Sequence, residues 1–262
     1  MENIEIIIAR YNESLAWTLV SPFDKFSYTV YNKGDNESFE KSRVTKIINL
    51  PNVGRNDHTF LYHVITNYES IAPITVFLPG SVNIPYKLER ATKILNKIIE
   101  SNFTKACFIG YRTNNIRDKF YNFTIKKYTA SDPQNFSKNP EHVLEPSKIT
   151  PYGKWYQYFF NNIQVKYYTY GGVFSIDRRD ILSNPIKKYQ LLLTTLSTHS
   201  NPEAGHYVER SWAAIFHPFK YTPVSPELNG IEESTPHEIL RLRKMNGMKK
   251  PAPVNIYRFK TT

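Results

Sequence analysis

Four consecutive residues, Arg10-Tyr11-Asn12-Glu13, place a cation, an aromatic ring, an amide and a carboxylate directly after an apolar run. A guanidinium can clamp a diphosphate through paired hydrogen bonds. A phenol ring can stack on a base, and an amide or carboxylate can read the base's polar edge. The plainer account is an Arg10–Glu13 surface ion pair beside an Asn-mediated turn, and the residues alone leave both open. Asn32-Lys33-Gly34, Arg55 and Pro79-Gly80-Ser81 add two more cations and two flexible turns. Glu209 stands beside a stripe of Val208, Trp212, Ile215 and Phe216, which puts it at the edge of a core. A single carboxylate there can take the proton of an attacking hydroxyl, or it can serve as a helix cap paired with Arg210 or Arg178. His206 and His63 are secondary candidates for proton transfer. Trp155 and Tyr156 lie in a dense aromatic run that either packs a core or offers a stacking platform for a sugar.

These side chains need a frame, and the periodicity supplies one. Residues 4–9 form a near-continuous apolar run, as expected of a strand buried on both faces. Further strands are expected at 26–31, 44–50, 74–78, 105–110 and 171–176. Helices are expected at 56–68, 86–101, 155–160, 178–197 and 205–216. Residues 111–150 are polar and carry three prolines, which predicts a long excursion from the core. The folded domain is expected over 1–222, followed by a C-terminal extension, 223–262, with a short helix near 235–245. Alternating strands and helices predict an α/β fold with a mixed, mostly parallel central sheet flanked by helices. Ligands of such sheets bind beyond the carboxyl ends of the strands. That rule selects Arg10–Glu13, Asn32–Gly34 and Pro79–Ser81.

The bulk properties exclude several classes. The 262 residues carry a formal charge of +11, 40% hydrophobic and 15% aromatic content, which is a globular composition. The basic field attracts polyanions or phosphate-bearing ligands. Its densest cluster, Arg241-Leu242-Arg243-Lys244 with Lys249-Lys250, comes with no specific nucleic-acid motif. No apolar run is long enough for a transmembrane segment, and no signal peptide is visible, so a cytoplasmic location is expected. The lone Cys107 sits among apolar neighbours, as a buried and inert thiol would. The seven histidines form no metal-binding pair, and nucleotide-loop, dinucleotide-fold and serine-hydrolase motifs are missing.

Several segments together resemble a known family. They are Arg-Tyr-Asn-Glu after the first strand, Tyr31-Asn32-Lys33-Gly34, Leu50-Pro51-Asn52-Val53-Gly54-Arg55, Gly171-Gly172-Val173-Phe174-Ser175-Ile176-Asp177-Arg178 and Tyr207-Val208-Glu209-Arg210-Ser211-Trp212. The likeness spans most of residues 4–217 and is to uncharacterised proteins found mainly in fungi and large DNA viruses. The last two segments resemble the acceptor side of glycosyltransferases of the A-type fold. The resemblance implies transfer of a sugar from a nucleotide sugar to a glycan or other hydroxyl acceptor, in host cytoplasm if the chain is viral. It implies donor contacts from Arg10, Tyr11, Asn12, Glu13, Asn32, Lys33, Arg55, Gly80 and Ser81. Acceptor contacts fall to Gly171, Gly172, Trp155 and Tyr156, with Glu209 as the base. Such transferases usually hold a divalent metal, manganese or magnesium, with an Asp-x-Asp pair after the central strand. Phe77-Leu78-Pro79-Gly80-Ser81 has no carboxylate there, so basic residues such as Arg10, Lys33 and Arg55 take the ion's place, or activity is lost. Asp35-Asn36-Glu37 reads as a solvated turn, and Asp177-Arg178-Arg179-Asp180 as a helix start. The alternative function is a catalytically silent scaffold that binds nucleotides or polyanions.

Overall fold

The computed structural model describes residues 3–125, 144–161 and 163–226. The expected helix at 235–245, the basic cluster at 241–250 and the middle of the 111–150 excursion lie outside the described residues.

A five-stranded sheet runs in the order β3-β2-β1-β4-β7. Its strands are β1 (Ile4–Arg10), β2 (Tyr28–Asn32), β3 (Val44–Asn49), β4 (Ile74–Pro79) and β7 (Phe174–Asp177). The first four pair in parallel, and β7 joins β4 antiparallel. β5 (Phe108–Arg112) leaves this sheet for a second one, pairing antiparallel with β6 (Tyr167–Tyr168) and parallel with β8 (Val224–Pro226). The expected mixed sheet flanked by helices is present, but in place of a mostly parallel central sheet there are two mixed sheets, each with an antiparallel pairing. β8 also extends the folded part past the expected boundary at 222.

Burial follows the strand period. Ile7, Ala9, Tyr31, Phe77 and Phe174 point into one core, whereas Ile6, Ile8, Tyr28, Val30, Val76 and Leu78 point into the other. Helix α1 (Arg55–Thr66) covers the first face with Phe60, Leu61 and Val64. Helix α2 (Pro85–Glu100) covers the second with Ala91, Ile94, Leu95 and Ile98. β3, at the sheet edge, is largely exposed.

The remaining helices are α3 (Ile116–Lys119), α4 (Tyr152–Phe160), α5 (Arg178–Leu182), α6 (Ile186–Thr194) and α7 (Glu203–Ile215). The helix expected over 178–197 is two helices, because Pro185 cannot continue a helix and its predecessor Asn184 is pushed out of helical geometry. The strand expected at 171–176 starts later, since Gly171 and Gly172 both take positive φ, 80° and 67°, and form a turn. Asp177 caps α5 by accepting from the Arg179 N–H at 2.8 Å, as a helix-start carboxylate should. Cys107 is buried. Among the described residues no helix is long and apolar enough to cross a membrane.

Candidate functional site

The order β3-β2-β1-β4 means that the chain winds outward from β1 to β3 and then returns to β4. Connections therefore diverge at the carboxyl ends of β1 and β4, where α/β sheets open a ligand crevice. Every sequence-selected turn sits on this edge, and close contacts link them into a ring. A side chain on Gly34 would meet the Tyr11 carbonyl and Asn12 Oδ1, so the loops after β1 and β2 touch. A side chain on Gly80 would meet the Glu13 carboxylate at 2.6 Å, which joins the loops after β1 and β4. Lys33 Nζ donates to the Val53 and Arg55 carbonyls at 2.6 and 2.5 Å, joining β2 to the start of α1. Gly171 packs on Lys87 of α2 and donates its N–H to Glu209 Oε1 at 2.8 Å. Gly172 packs on Asn56 of α1.

The expected donor residues divide into builders and open groups. Arg10 is buried and joins the loops through Nε and Nη1, while its Nη2 has no hydrogen-bond partner among the described residues. Its Nε donates to the Glu13 carbonyl at 2.7 Å, and Nη1 donates to Asn32 Oδ1 at 2.5 Å and to the Asn36 carbonyl at 2.7 Å. The guanidinium also lies 4.0 Å over the Phe39 ring. The surface ion pair with Glu13 is absent: the Glu13 carboxylate instead accepts from the Tyr11 N–H at 2.8 Å. Asn32 is buried and donates to the Gly34 carbonyl at 2.8 Å. Tyr11 and Asn12 stay half-buried at the rim, and Asn12 Oδ1 has no hydrogen-bond partner. Ser81 is buried and accepts from Lys87 Nζ at 2.7 Å, in the loop that leads into α2.

Helix α1 begins under constraint. Gly54 and Arg55 both take left-handed φ values, 61° and 56°, which an arginine seldom adopts. Gly54 donates to the His199 carbonyl at 2.8 Å and has no room for a side chain against Leu196. Arg55 Nη1 then reaches Asn201 Oδ1 at 3.3 Å and His206 Nε2 at 3.1 Å, which ties α1 to α7. Such backbone strain is commonly held where function needs it. Burial shapes the charges here. The Lys33 ammonium is pushed down to about 7 by burial, with nearby Asp57 opposing the shift. His58 is pushed down to about 4 by burial and by Lys33. Asp57 is pushed well above the usual carboxylate range by burial and by Glu209.

Glu209 faces this edge from α7, and its side chain is 17% exposed. Its Oε2 lies 3.7 Å from Arg210 Nη1, which itself donates to the His206 carbonyl at 2.7 Å. The helix starts at Glu203, so Glu209 lies in its second turn and the helix-cap account does not apply. The carboxylate in the first turn is Glu203, which accepts from the Ile125 and Ser147 N–H groups at 3.0 and 2.9 Å and so ties the preceding loops to α7.

The acceptor platform is corrected. Trp155 and Tyr156 are buried, with Trp155 packed on Tyr152, Phe159, Phe160 and Tyr207. The Tyr156 hydroxyl is spent on the Ile163 carbonyl at 2.9 Å. They are core, and only the Gly171–Gly172 turn reaches the edge. His63 is also core, between Tyr31 at 3.0 Å and Glu5 at 3.4 Å. The sequence reading missed Lys87 and Asp57. Lys87 was visible as a cation in the first turn of an amphipathic helix, and Asp57 as a carboxylate two residues past Arg55.

A divalent ion does not fit the end of β4. Glu13 is the carboxylate that reaches Gly80, and one oxygen pair already engaged by a backbone N–H makes a poor cage for such an ion. Among the described residues no three His, Cys, Asp or Glu side chains are grouped to hold a metal.

No curated protein and no solved structure matches the chain. Residues 6–227 match the family described as a protein of unknown function, DUF3431, and the chain belongs to that family.

Proposed function

We propose that the protein is an A-type glycosyltransferase, moving a sugar from a nucleoside-diphosphate sugar to a hydroxyl acceptor. The observation that carries this reading is the ring of loops at the switch point between β1 and β4, with a partly exposed carboxylate, Glu209, looking onto it. The donor's diphosphate belongs at Ser81 and the first turn of α2, where Lys87 and the helix N-terminus attract anions. Asn12 and Tyr11 at the rim suit the base. Arg10, Asn32 and Lys33 build the walls, so they support the donor indirectly. The acceptor enters against Gly171–Gly172.

The step needs no metal in this account. Glu209 takes the proton of the acceptor hydroxyl as its oxygen bonds to the anomeric carbon. The bond from that carbon to the diphosphate oxygen breaks, and the leaving group departs with the electron pair as nucleoside diphosphate. Attack opposite the leaving group inverts the anomeric centre.

The test is Glu209→Gln. The amide keeps an oxygen for the Gly171 N–H, so donor affinity and melting temperature stay close to wild type while transfer falls about a hundredfold or more. A stable variant that retains wild-type turnover would end the assignment. One observation favours the silent scaffold: Arg10 and Lys33 spend their charge on internal oxygens. That reading requires binding of polyanions without regard to base.

A further inference from the structure

Two helices start side by side at this edge. α1 opens at Arg55 and α7 at Glu203, behind N-caps, Gly54 and Pro202, that supply no side-chain hydrogen bond. The two starts touch: a side chain on Gly205 would meet Arg55 Cδ at 3.5 Å and the Gly54 carbonyl oxygen at 3.9 Å. A carboxylate in the first turn ordinarily answers the positive end of a helix. Here both such carboxylates are turned elsewhere. Asp57 accepts from the buried Trp212 Nε1 at 2.8 Å, and Glu203 accepts from the Ile125 and Ser147 N–H groups. A separate observation lies between the two starts. Arg55 Nη1 is 3.3 Å from Asn201 Oδ1 and 3.1 Å from His206 Nε2, and the last two atoms are 3.2 Å apart. Asn201 is only 7% exposed, and the other end of its amide, Nδ2, has no hydrogen-bond partner among the described residues. The neighbouring Ser200 Oγ is buried without one as well. A buried donor left without an acceptor is costly, and an oxygen placed here would remove that cost. Arg55, Asn56, His199 and Ser200 are half-buried, so the rim is open to solvent.

We propose that the abutting starts of α1 and α7 form a phosphate-binding site, and that it seats a phosphate group carried by the acceptor. Arg55 supplies the positive charge, Asn201 Nδ2 a donor, and His206 holds both in place. The positive ends of two helices add to the attraction. A phosphate monoester suits such a place because it brings nearly two charges and three acceptor oxygens. The site adjoins the proposed acceptor entrance. Asn56, next to Arg55, packs on Gly172, and Gly171 gives its N–H to Glu209. His206 precedes Glu209 by three residues on α7, so the two side chains are neighbours on one face of the helix. An acceptor whose phosphate rests on Arg55 and Asn201 brings a nearby hydroxyl to Glu209. The acceptor role rests on the function proposed above, but the phosphate site does not.

The experiment is a calorimetric titration of the full chain with inorganic phosphate at matched ionic strength. Wild type should bind it saturably. Arg55→Gly should weaken binding about tenfold or more, and glycine takes the positive φ of 56° at this position without strain, so the fold survives. Asn201→Asp, equal in size, should weaken binding at least as much, because it sets a like charge against the phosphate. Lys87→Met removes the cation of the anion seat at α2 and should leave phosphate affinity unchanged. No saturable binding, or binding that Lys87→Met abolishes and Arg55→Gly spares, would overturn the proposal. Inorganic phosphate should also bind alongside a nucleoside diphosphate, and competition between the two would overturn the acceptor assignment. Phosphate held at Arg55 by a chain that binds no nucleoside diphosphate would keep the site and remove the glycosyltransferase.

Discussion

Lys33 shows how this edge holds charge. Its ammonium sits among the Val53 and Arg55 carbonyls, with Asp57 near, and burial pushes it down to about 7. An unfolded lysine keeps its proton to about 10.4, so between the two values the unfolded chain binds more protons. Stability from this residue is present at high pH and is lost as pH falls toward 7. Lys33→Met should flatten the rise in urea midpoint between pH 7 and pH 10, and an unchanged slope would show that Lys33 titrates normally. Glu209 and Lys33 were legible because Lys33 follows a strand and Glu209 lies in a helix whose patterns are plain. Asp57 was not, because its partner Trp212 lies 155 residues away and only folding brings the indole to it. Arg10 was legible as a residue of the edge but not as a buried strut. Its partners are Asn32 at the end of β2 and the Asn36 carbonyl in the loop that follows.

At the scale of elements, glycines decide how closely the loops approach. A side chain on Gly34 would lie 1.8 Å from the Tyr11 carbonyl oxygen, a backbone atom that cannot swing away. Gly34→Ala should therefore cost about 3 kcal/mol or more, at the upper end of overpacking penalties. Denaturant unfolding measures this, and a near wild-type midpoint would mean that the loops after β1 and β2 stand apart. Strand and helix periods placed β1, α1, β4 and α2 within a few residues, since each has a regular apolar stripe. The misplacements have local causes. Pro185 splits one expected helix in two, and the positive φ of Gly171 and Gly172 delays β7. Trp155 and Tyr156 carry no signal in their own sequence that separates a core aromatic from a sugar platform. Burial separates them: Trp155 packs on Tyr207 of α7, and Tyr156 packs on Tyr152 and Phe160.

At the scale of the whole molecule, the winding of the chain gathers the site. Because β1 to β3 run outward and β4 returns, six segments from residue 10 to residue 209 meet on one sheet edge. Sequence order predicted that edge through the rule for α/β sheets. It did not predict that β5 would leave for a second sheet with β8, a pairing over more than a hundred residues. The central claim is that this edge binds a nucleoside diphosphate without a metal. The most direct measurement is a thermal-shift titration of the full chain with nucleoside diphosphates and nucleotide sugars, each with EDTA and with manganese. The account predicts that one nucleoside raises the melting temperature, with about 2.7 kcal/mol of stabilisation at a hundred times its Kd. EDTA should change the affinity less than tenfold, or about 1.4 kcal/mol. Equal stabilisation by every polyanion, abolished by salt, would contradict it.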